Sequence, residues 1–584
     1  MPPPSLSLRP SLQYGAVALS ALLVFAGTLA NGFVYDDVQL VLENPWPRSL
    51  AGVRESFGQP LFGFLESSTA QDVRNHYYRP LLHVVLFVLR RMAGPAAWVH
   101  HLALMMAHAA VSAGVLWLLR ACLVRSRPVE DGGAGAWASL GGALLFALHP
   151  VHTEAVAWVS GAMDVGMALL LVVAARLWLP VPATPLRTVA ASGAWLAALL
   201  LKETAFVLPV LLWSLERATA SPLERGGLGS QARRYALLCV GGGMYAVLRL
   251  TALRGGLPEA PGAGGGSRLG GLLAFPADLG GKLLWPSPLA VVSPEGPVRS
   301  LLDARVGLGC ALLVGLVALA IWAWRRRHAI AGAGLVWLGV PLVPAWVLQA
   351  RGVDAYAERY LYLPSVGFVL LVGLALREAL RKWPGGARTL ALASGGVLAV
   401  FAALTLAYVP TWRDELSLWT YVQAHAADRP LIHVKLGDLH LNAGRLDAAL
   451  PELELAARFL PGDFRVHNNL AVAYAKAGRM PEARREFEWT ARLMPSNPVA
   501  WHNLGLVSRR EGDLEAAIAR FQDALRLSPQ RVDSLLELGR TLVRAGRAAE
   551  AVAPLEEALR LSPGLEPARK ALAEARAAAS SPPR

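Results

Sequence analysis

"VHNNLAVAYAKAGRMPEARREFEWTARLMP", residues 466–495, decides how the C-terminal part of the chain folds. Its landmarks recur at a fixed interval. Pro461, Pro495, Pro529 and Pro563 are each 34 residues apart. In the same register lie Leu436, Leu470, Leu504 and Leu538, then Gly437, Ala471, Gly505 and Gly539, then Ala449, Ala483, Ala517 and Ala551. A large and a small apolar residue side by side let a first helix approach a second closely. A small residue on the second helix meets it, and Pro closes the unit.

This is the tetratricopeptide (TPR) pattern, here four repeats in one register over about 430–563. "EPARKALAEARAAA" (566–579) reads as a capping helix, giving a repeat domain over 430–579, and residues 580–584 read as a disordered tail. Such a stack exposes a concave groove suited to an extended polypeptide. A passive spacer or self-association module is the alternative reading.

Upstream the composition changes. From Thr411 onward there are 24 Lys and Arg against 22 Asp and Glu, which leaves 32 and 20 of the chain's 56 and 42 in the first 410 residues. With 54% hydrophobic residues, 17% charged and a mean hydropathy of +0.40, the whole is not an ordinary soluble protein. An excess of basic charge in such a part marks cytosolic loops and not nucleic-acid binding. Cys122, Cys239 and Cys310 are scattered without metal or disulfide spacing.

Eleven apolar segments have the character of membrane spans: roughly 13–30, 98–119, 136–149, 155–179, 188–201, 204–216, 234–250, 306–324, 329–349, 360–376 and 387–409. The first reads as a signal anchor. "YRPLLHVVLFVLRRMAG" (78–94) reads as an interfacial helix in the first external loop (31–97), with Arg79, His83, Arg90 and Arg91 in the headgroups. That choice keeps "RRRH" (325–328) and "REALRKWPGGAR" (377–388) inside. The expected fold is therefore all-α: a polytopic membrane domain over 1–410, a linker over 411–429, and a TPR α-solenoid. Eleven spans put the polar groups of the connecting loops, and the repeats, on one outer face.

Ionisable residues at a bilayer are expensive and are candidates for function by default. Asp36 and Asp37, just after the first span, are either a general base with its partner acid or a solvated turn with a helix cap. Tyr78 and Arg79 set a fixed cation beside aromatics, suited to a lipid-linked phosphate or to plain interfacial anchoring. His149, His152 and Glu154 gather at a span end, but without HExxH spacing or a fourth ligand no metal is expected. Lys202 with Glu203, and Arg359 with Glu358, are either ion pairs or phosphate-binding cations with positioning acids. Asp164 lies deeper, as a cavity-lining acid or part of a proton path.

Five strings occur in order: "FVYDDVQLVLENP" (33–45), "YYRPLLHVVLFVL" (77–89), "LHPVHTEAVAWVSG" (148–161), "LLKETAFVLPVLL" (200–212) and "AERYLYLPSVGF" (357–368). Followed by TPRs, they resemble the transmembrane-and-TPR O-mannosyltransferases and their bacterial relatives, membrane glycosyltransferases of the GT-C class. The resemblance implies sugar transfer from a polyprenyl-phosphate donor to a protein hydroxyl, with the base drawn from the acidic pair. Asp36 and Asp37 would then be catalytic, and Arg79, Lys202 and Arg359 would bind the donor phosphate. One departure stands out: relatives commonly carry Arg-x-Asp after "VSG", where this chain has Ala162-Met163-Asp164.

The placement makes physical sense. A polyprenyl phosphate keeps its tail in lipid and its scissile C1–O bond in the headgroup layer, so the base must stand just outside the bilayer on a short tether. The expected function is transfer of a mannose-like hexose to Ser or Thr of an exported protein, without a cofactor and without nucleic acid. The rivals are a non-catalytic TPR scaffold and, less well supported, a transporter. Ala-, Arg- and Gly-rich composition points to a bacterial inner membrane with a periplasmic array, the ER lumen being the eukaryotic equivalent.

Overall fold

The structure, a computed structural model, describes residues 9–64, 77–124, 133–179, 184–253, 267–289, 291–293, 296, 298–350, 356–426 and 429–580. Among them the regular elements are all helical. Two compact units divide the chain, residues up to 427 and residues from 428.

Among the described residues of the first unit seven helices are long and apolar enough to cross a membrane: Pro10–Ala30, Ala97–Leu123, Val159–Trp178, Leu228–Leu253, Ala304–Arg325, Ala329–Ala350 and Pro384–Trp412. An eighth crossing is available if Ala134–Leu148 and Pro150–Ala157, bent by 46°, form one broken span. Pro150 lacks the N–H that a continuing helix needs.

All eleven expected segments are helical, yet three others fall short of a full crossing. Pro185–Leu201 has 17 residues and Leu208–Thr219 has 12, against the ~20 that a 30 Å hydrocarbon layer requires. Pro364–Lys382 ends in Arg377, Glu378, Arg381 and Lys382. The segment expected at the interface is a 14-residue helix, Pro80–Ala93, also too short to span. His83 on it is not in the headgroups as expected. It is buried edge-on to Trp46, with ring centroids 5.1 Å apart, and burial pushes its imidazole down to about 4.

The main core of this unit is an apolar cluster that includes Leu116, Leu119, Phe146, Trp178, Leu211, Trp337 and Val369, all essentially inaccessible, with smaller clusters beside it. Small residues set its tightest contacts. At Gly367, a methyl group would collide with the backbone of Leu338 and Gly334, so the two helices touch main chain to main chain. Ala304–Arg325 and Pro384–Trp412 are the least covered by protein, and most of their apolar side chains face outward, as lipid contact requires, while Val306 and Phe401 pack inward.

The stretch 411–429, expected as a linker, carries the helix Glu415–His425, and that helix belongs to the first unit. Asp414 caps it, accepting from the Ser417 N–H at 2.8 Å, and it is held through buried Leu418, Trp419 and Val422.

The second unit is the repeat array. Its helices pair as Pro430–Asn442 with Leu446–Phe459, Phe464–Lys476 with Met480–Leu493, Pro498–Arg510 with Leu514–Leu527, and Val532–Arg544 with Ala548–Leu561, closed by Glu566–Ser580. The small residue of each first helix is where the pair touches: a methyl on Gly505 would meet the Phe521 ring at 2.6 Å. The turns are closed by Gly444, Gly478, Gly512 and Gly546, all in the left-handed region and again 34 residues apart. Residues 581–584 of the expected tail lie outside the described residues.

Candidate active site

The first span ends at Ala30, and the chain then makes a strained turn. Tyr35 has φ 57°, a region that bulky residues avoid unless the surroundings impose it. Six hydrogen bonds do so. The Asp37 carboxylate accepts from the Val34 N–H (3.2 Å), the Ser160 N–H (2.8 Å) and the Ser160 hydroxyl (2.6 Å). The Trp158 indole N–H donates to the Val34 carbonyl at 3.2 Å. The Tyr35 N–H donates to Glu415 Oε1 at 3.0 Å. Gly32 N–H donates to the Arg413 carbonyl at 2.8 Å. A π-helical turn, Val38–Glu43, follows.

The two acids therefore differ. Asp37 is wholly buried and holds the turn together; Asp36 is partly exposed. Burial pushes the Asp37 carboxyl up to about 7, against the pull of its hydrogen bonds from Ser160 and Val34. In the opened turn the group would return to the ordinary Asp value near 3.9. The closed turn then holds the extra proton between these two values, so it weakens as pH rises from about 4 to 7 and is level above that. Amide exchange at Val34 and Ser160, corrected for intrinsic rates, should show protection falling over that window and no such fall in Asp37→Asn.

Beside the turn lies a cluster of six charges. Arg79 grips Glu203 with two parallel hydrogen bonds, Nε to Oε2 at 3.0 Å and Nη2 to Oε1 at 2.6 Å. Lys202 Nζ meets Asp164 Oδ1 at 2.5 Å. Arg359 pairs with Glu154 twice, through its guanidinium and through its own backbone N–H at 2.9 Å. Asp164 joins two of these pairs, since its second oxygen is 4.0 Å from Arg359 Nε. Aromatic faces hold the cations in place: Tyr77 under Arg79 at 4.4 Å, Tyr360 near both Lys202 and Arg359 at 5.2 Å, and Trp158 under Arg359 at 5.0 Å.

Burial would raise the Glu203 carboxyl, but the Arg79 guanidinium holds it down at about 2. Burial also lowers the Lys202 ammonium, and Arg359 and Arg79 push the same way against Asp164. Three cations thus meet three carboxylates, and none stands alone. They differ in access: the Arg359 side chain is 25% exposed, against 10% for Arg79 and 5% for Lys202.

Trp158 connects the two halves of the site. Its indole N–H fixes the acidic turn and its ring carries the Arg359 guanidinium. The structure thus links the turn that carries Asp36 and Asp37, through Trp158, to Arg359 with Glu154 and Asp164 and, through Asp164, to Lys202. Arg79 and Glu203 border it, with Arg79 Nη1 3.1 Å from the Met163 sulfur. Met163 is the middle residue of the triplet that departs from the family pattern.

The other expected residues have hydrogen-bond partners outside the charged cluster. Tyr78 is buried and its hydroxyl donates to the Phe57 carbonyl at 2.9 Å. His149 and His152 are buried too, His149 Nε2 3.1 Å from the Leu283 carbonyl and His152 Nε2 2.9 Å from the Ser365 hydroxyl. Glu358 accepts from the Tyr356 hydroxyl at 3.1 Å. Among the described residues no three His, Cys, Asp or Glu side chains converge as metal ligands would. Trp158, Ser160, Tyr35 and Glu415 were not singled out by the sequence, although Tyr35, Trp158 and Ser160 lie inside two of the five strings.

The repeat array matches the family described as "Tetratricopeptide repeat" over residues 434–498 and 502–566. Over longer stretches the chain is similar to human "Protein O-mannosyl-transferase TMTC1", 25% identical over 79% of this chain and 57% of that protein. It is similarly related to Drosophila melanogaster "Protein O-mannosyl-transferase Tmtc1", 26% identical over 77% of this chain and 62% of that one. A shorter match to Drosophila melanogaster "Protein O-mannosyl-transferase Tmtc2" reaches 37% identity over 25% of this chain and 15% of the relative. The chain thus spans about three-fifths of the two relatives that it matches at length. Among solved structures, a crystal structure of MamA protein aligns with 26% of this chain and 82% of its own, at 21% identity and a TM-score of 0.25. The homologues of this chain are named protein O-mannosyl-transferases, and with its apolar helices and TPR repeats it matches the transmembrane-and-TPR family that its motifs resemble.

Proposed function

We propose that this multi-pass membrane protein is a glycosyltransferase that moves a mannose-like hexose from a polyprenyl-phosphate donor to a Ser or Thr hydroxyl of an exported polypeptide. The observation that carries this reading is the junction at Trp158, which ties a partly exposed acid at a span end to a cluster of three cations. A base for the acceptor and a counter-charge for a leaving phosphate are the two things this transfer needs.

In the proposed step the acceptor hydroxyl attacks C1 of the sugar and the C1–O bond to phosphate breaks. The hydroxyl proton passes to Asp36, and the polyprenyl phosphate leaves with the bond's electron pair. Attack from the face opposite the phosphate inverts the anomeric centre. Because each cation already has a carboxylate partner, the phosphate must displace one, and Glu154 on the more exposed Arg359 is the partner displaced. The aromatic faces of Tyr360 and Trp158 then keep the guanidinium oriented while its carboxylate is exchanged for phosphate.

Mass spectrometry of exported proteins from cells with and without this protein tests the proposal. A hexose on Ser or Thr that disappears with the gene supports it; unchanged glycosylation of every exported protein overturns it.

The repeats gather acceptors in this reading, which requires them on the membrane face of Asp36. Single cysteines at Glu55 and Ser580, both exposed, in a background lacking Cys122, Cys239 and Cys310, report this with an impermeant maleimide on intact cells. Labelling at both positions is the expected result. Labelling at Glu55→Cys alone, with Ser580→Cys reactive only after permeabilisation, separates the repeats from the chemistry and favours a scaffold.

A further inference from the structure

The acidic turn does not hold its conformation alone. Left-handed backbone at Tyr35 is costly, and the Asp37 contacts fix Val34 and the far end of the turn but leave the Tyr35 N–H to another partner. That partner is Glu415, 380 residues away and 3.0 Å distant. Glu415 opens the helix Glu415–His425, the last helix of the first unit before the repeats begin at Pro430.

The contact belongs to a wall. Asn31 Nδ2 donates to the Val409 carbonyl at 3.5 Å and Gly32 N–H to the Arg413 carbonyl at 2.8 Å. Trp412 stacks on Trp158 with centroids 6.3 Å apart. The Tyr35 ring lies between Trp158 and Trp419, 5.8 Å from each. The short segment 409–419 therefore grips Asn31, Gly32 and Tyr35 of the turn that precedes Asp36 and reaches Trp158 as well. Packing alone would be met by the aromatic residues; a carboxylate aimed at a single backbone N–H in a strained residue is a more specific device.

We propose that Glu415 is a positioning residue of the transfer reaction: its carboxylate fixes Tyr35 in the left-handed turn and so sets the place of the next residue, Asp36, in the turn that Trp158 holds. The inference rests on the glycosyl-transfer reading above. It also gives the segment leading into the repeats a part in the chemistry.

Two conservative variants separate geometry from charge. Glu415→Gln keeps an acceptor oxygen at the same reach and loses the charge. Glu415→Asp keeps the charge and withdraws the acceptor by one methylene. Misplacing a reacting group by about 1 Å costs on the order of 10²-fold, so E415D should lower kcat by about 10- to 100-fold with donor KM unchanged, whereas E415Q should retain kcat within a small factor. Amide exchange at Tyr35 should quicken in E415D and not in E415Q, with the repeats unaffected in both. Wild-type kcat in E415D, or equal losses in both variants, overturns the proposal. A wild-type protein that transfers no sugar fails the glycosyl-transfer reading instead, while exchange at Tyr35 still reports whether Glu415 holds the turn.

Discussion

Asp36→Asn is expected to lower the rate of sugar transfer by about 10²–10⁴-fold, the usual contribution of general-base assistance, with insertion and donor affinity unchanged. The amide matches the carboxylate in size but cannot take the hydroxyl proton, and Asp36 is the partly exposed acid of the pair. Asp37→Asn should behave differently. Both Asp37 oxygens accept hydrogen bonds in a buried site, so an amide turns one contact into two opposed donors. The expected loss is one of local order, of about 1–3 kcal/mol for an unsatisfied buried group, visible as faster exchange across the turn. Steady-state kinetics paired with amide exchange tells the two acids apart. Equal kcat in Asp36→Asn and wild type would remove Asp36 from the chemistry.

Arg359 carries the second large effect. Arg359→Ala removes the most exposed of the three cations and is expected to reduce kcat/KM for the lipid-linked donor by roughly 10- to 150-fold, corresponding to about 1.5–3 kcal/mol for a hydrogen bond to a charged group. The same change leaves Glu154 buried without its partner, so stability must be followed alongside. Arg359→Lys isolates the geometry: charge remains, the planar fork is lost, and a loss of donor use larger than twofold but smaller than that of Arg359→Ala is expected. Lys202→Ala and Arg79→Ala should act more through folding, because both side chains are nearly enclosed and each would strand a carboxylate, Asp164 or Glu203. Donor kinetics unchanged in Arg359→Ala would place the phosphate elsewhere.

What the sequence revealed follows from what can be encoded locally. The repeats were legible because each helix pair repeats its contacts with its neighbour, so the 34-residue register is written into Leu470, Ala471, Ala483 and their counterparts. The apolar helices were legible because lipid contact imposes composition directly. The number of crossings was not, since Leu208–Thr219 and Pro364–Lys382 bury apolar faces in the protein core and need not reach across a bilayer. The charged residues of the site were legible by type and position near span ends. Their partners were not: Glu154 and Arg359 are 205 residues apart, Asp164 and Lys202 38, and nothing in either neighbourhood encodes the pairing. Trp158 went unnoticed because an aromatic at a span end is ordinary in membrane proteins. Tyr35 could have been flagged only by its backbone angle, which no residue type announces.

Donor and base are tested together by reconstituting the purified protein in vesicles with radiolabelled polyprenyl-phosphate mannose and a Ser/Thr-rich polypeptide, beside a nucleotide-linked mannose. Label is expected in the polypeptide from the lipid-linked donor alone, released by β-elimination and absent with Asp36→Asn. No transfer from the lipid-linked donor by folded protein, or transfer that persists at the wild-type rate in Asp36→Asn, would contradict the proposed reaction.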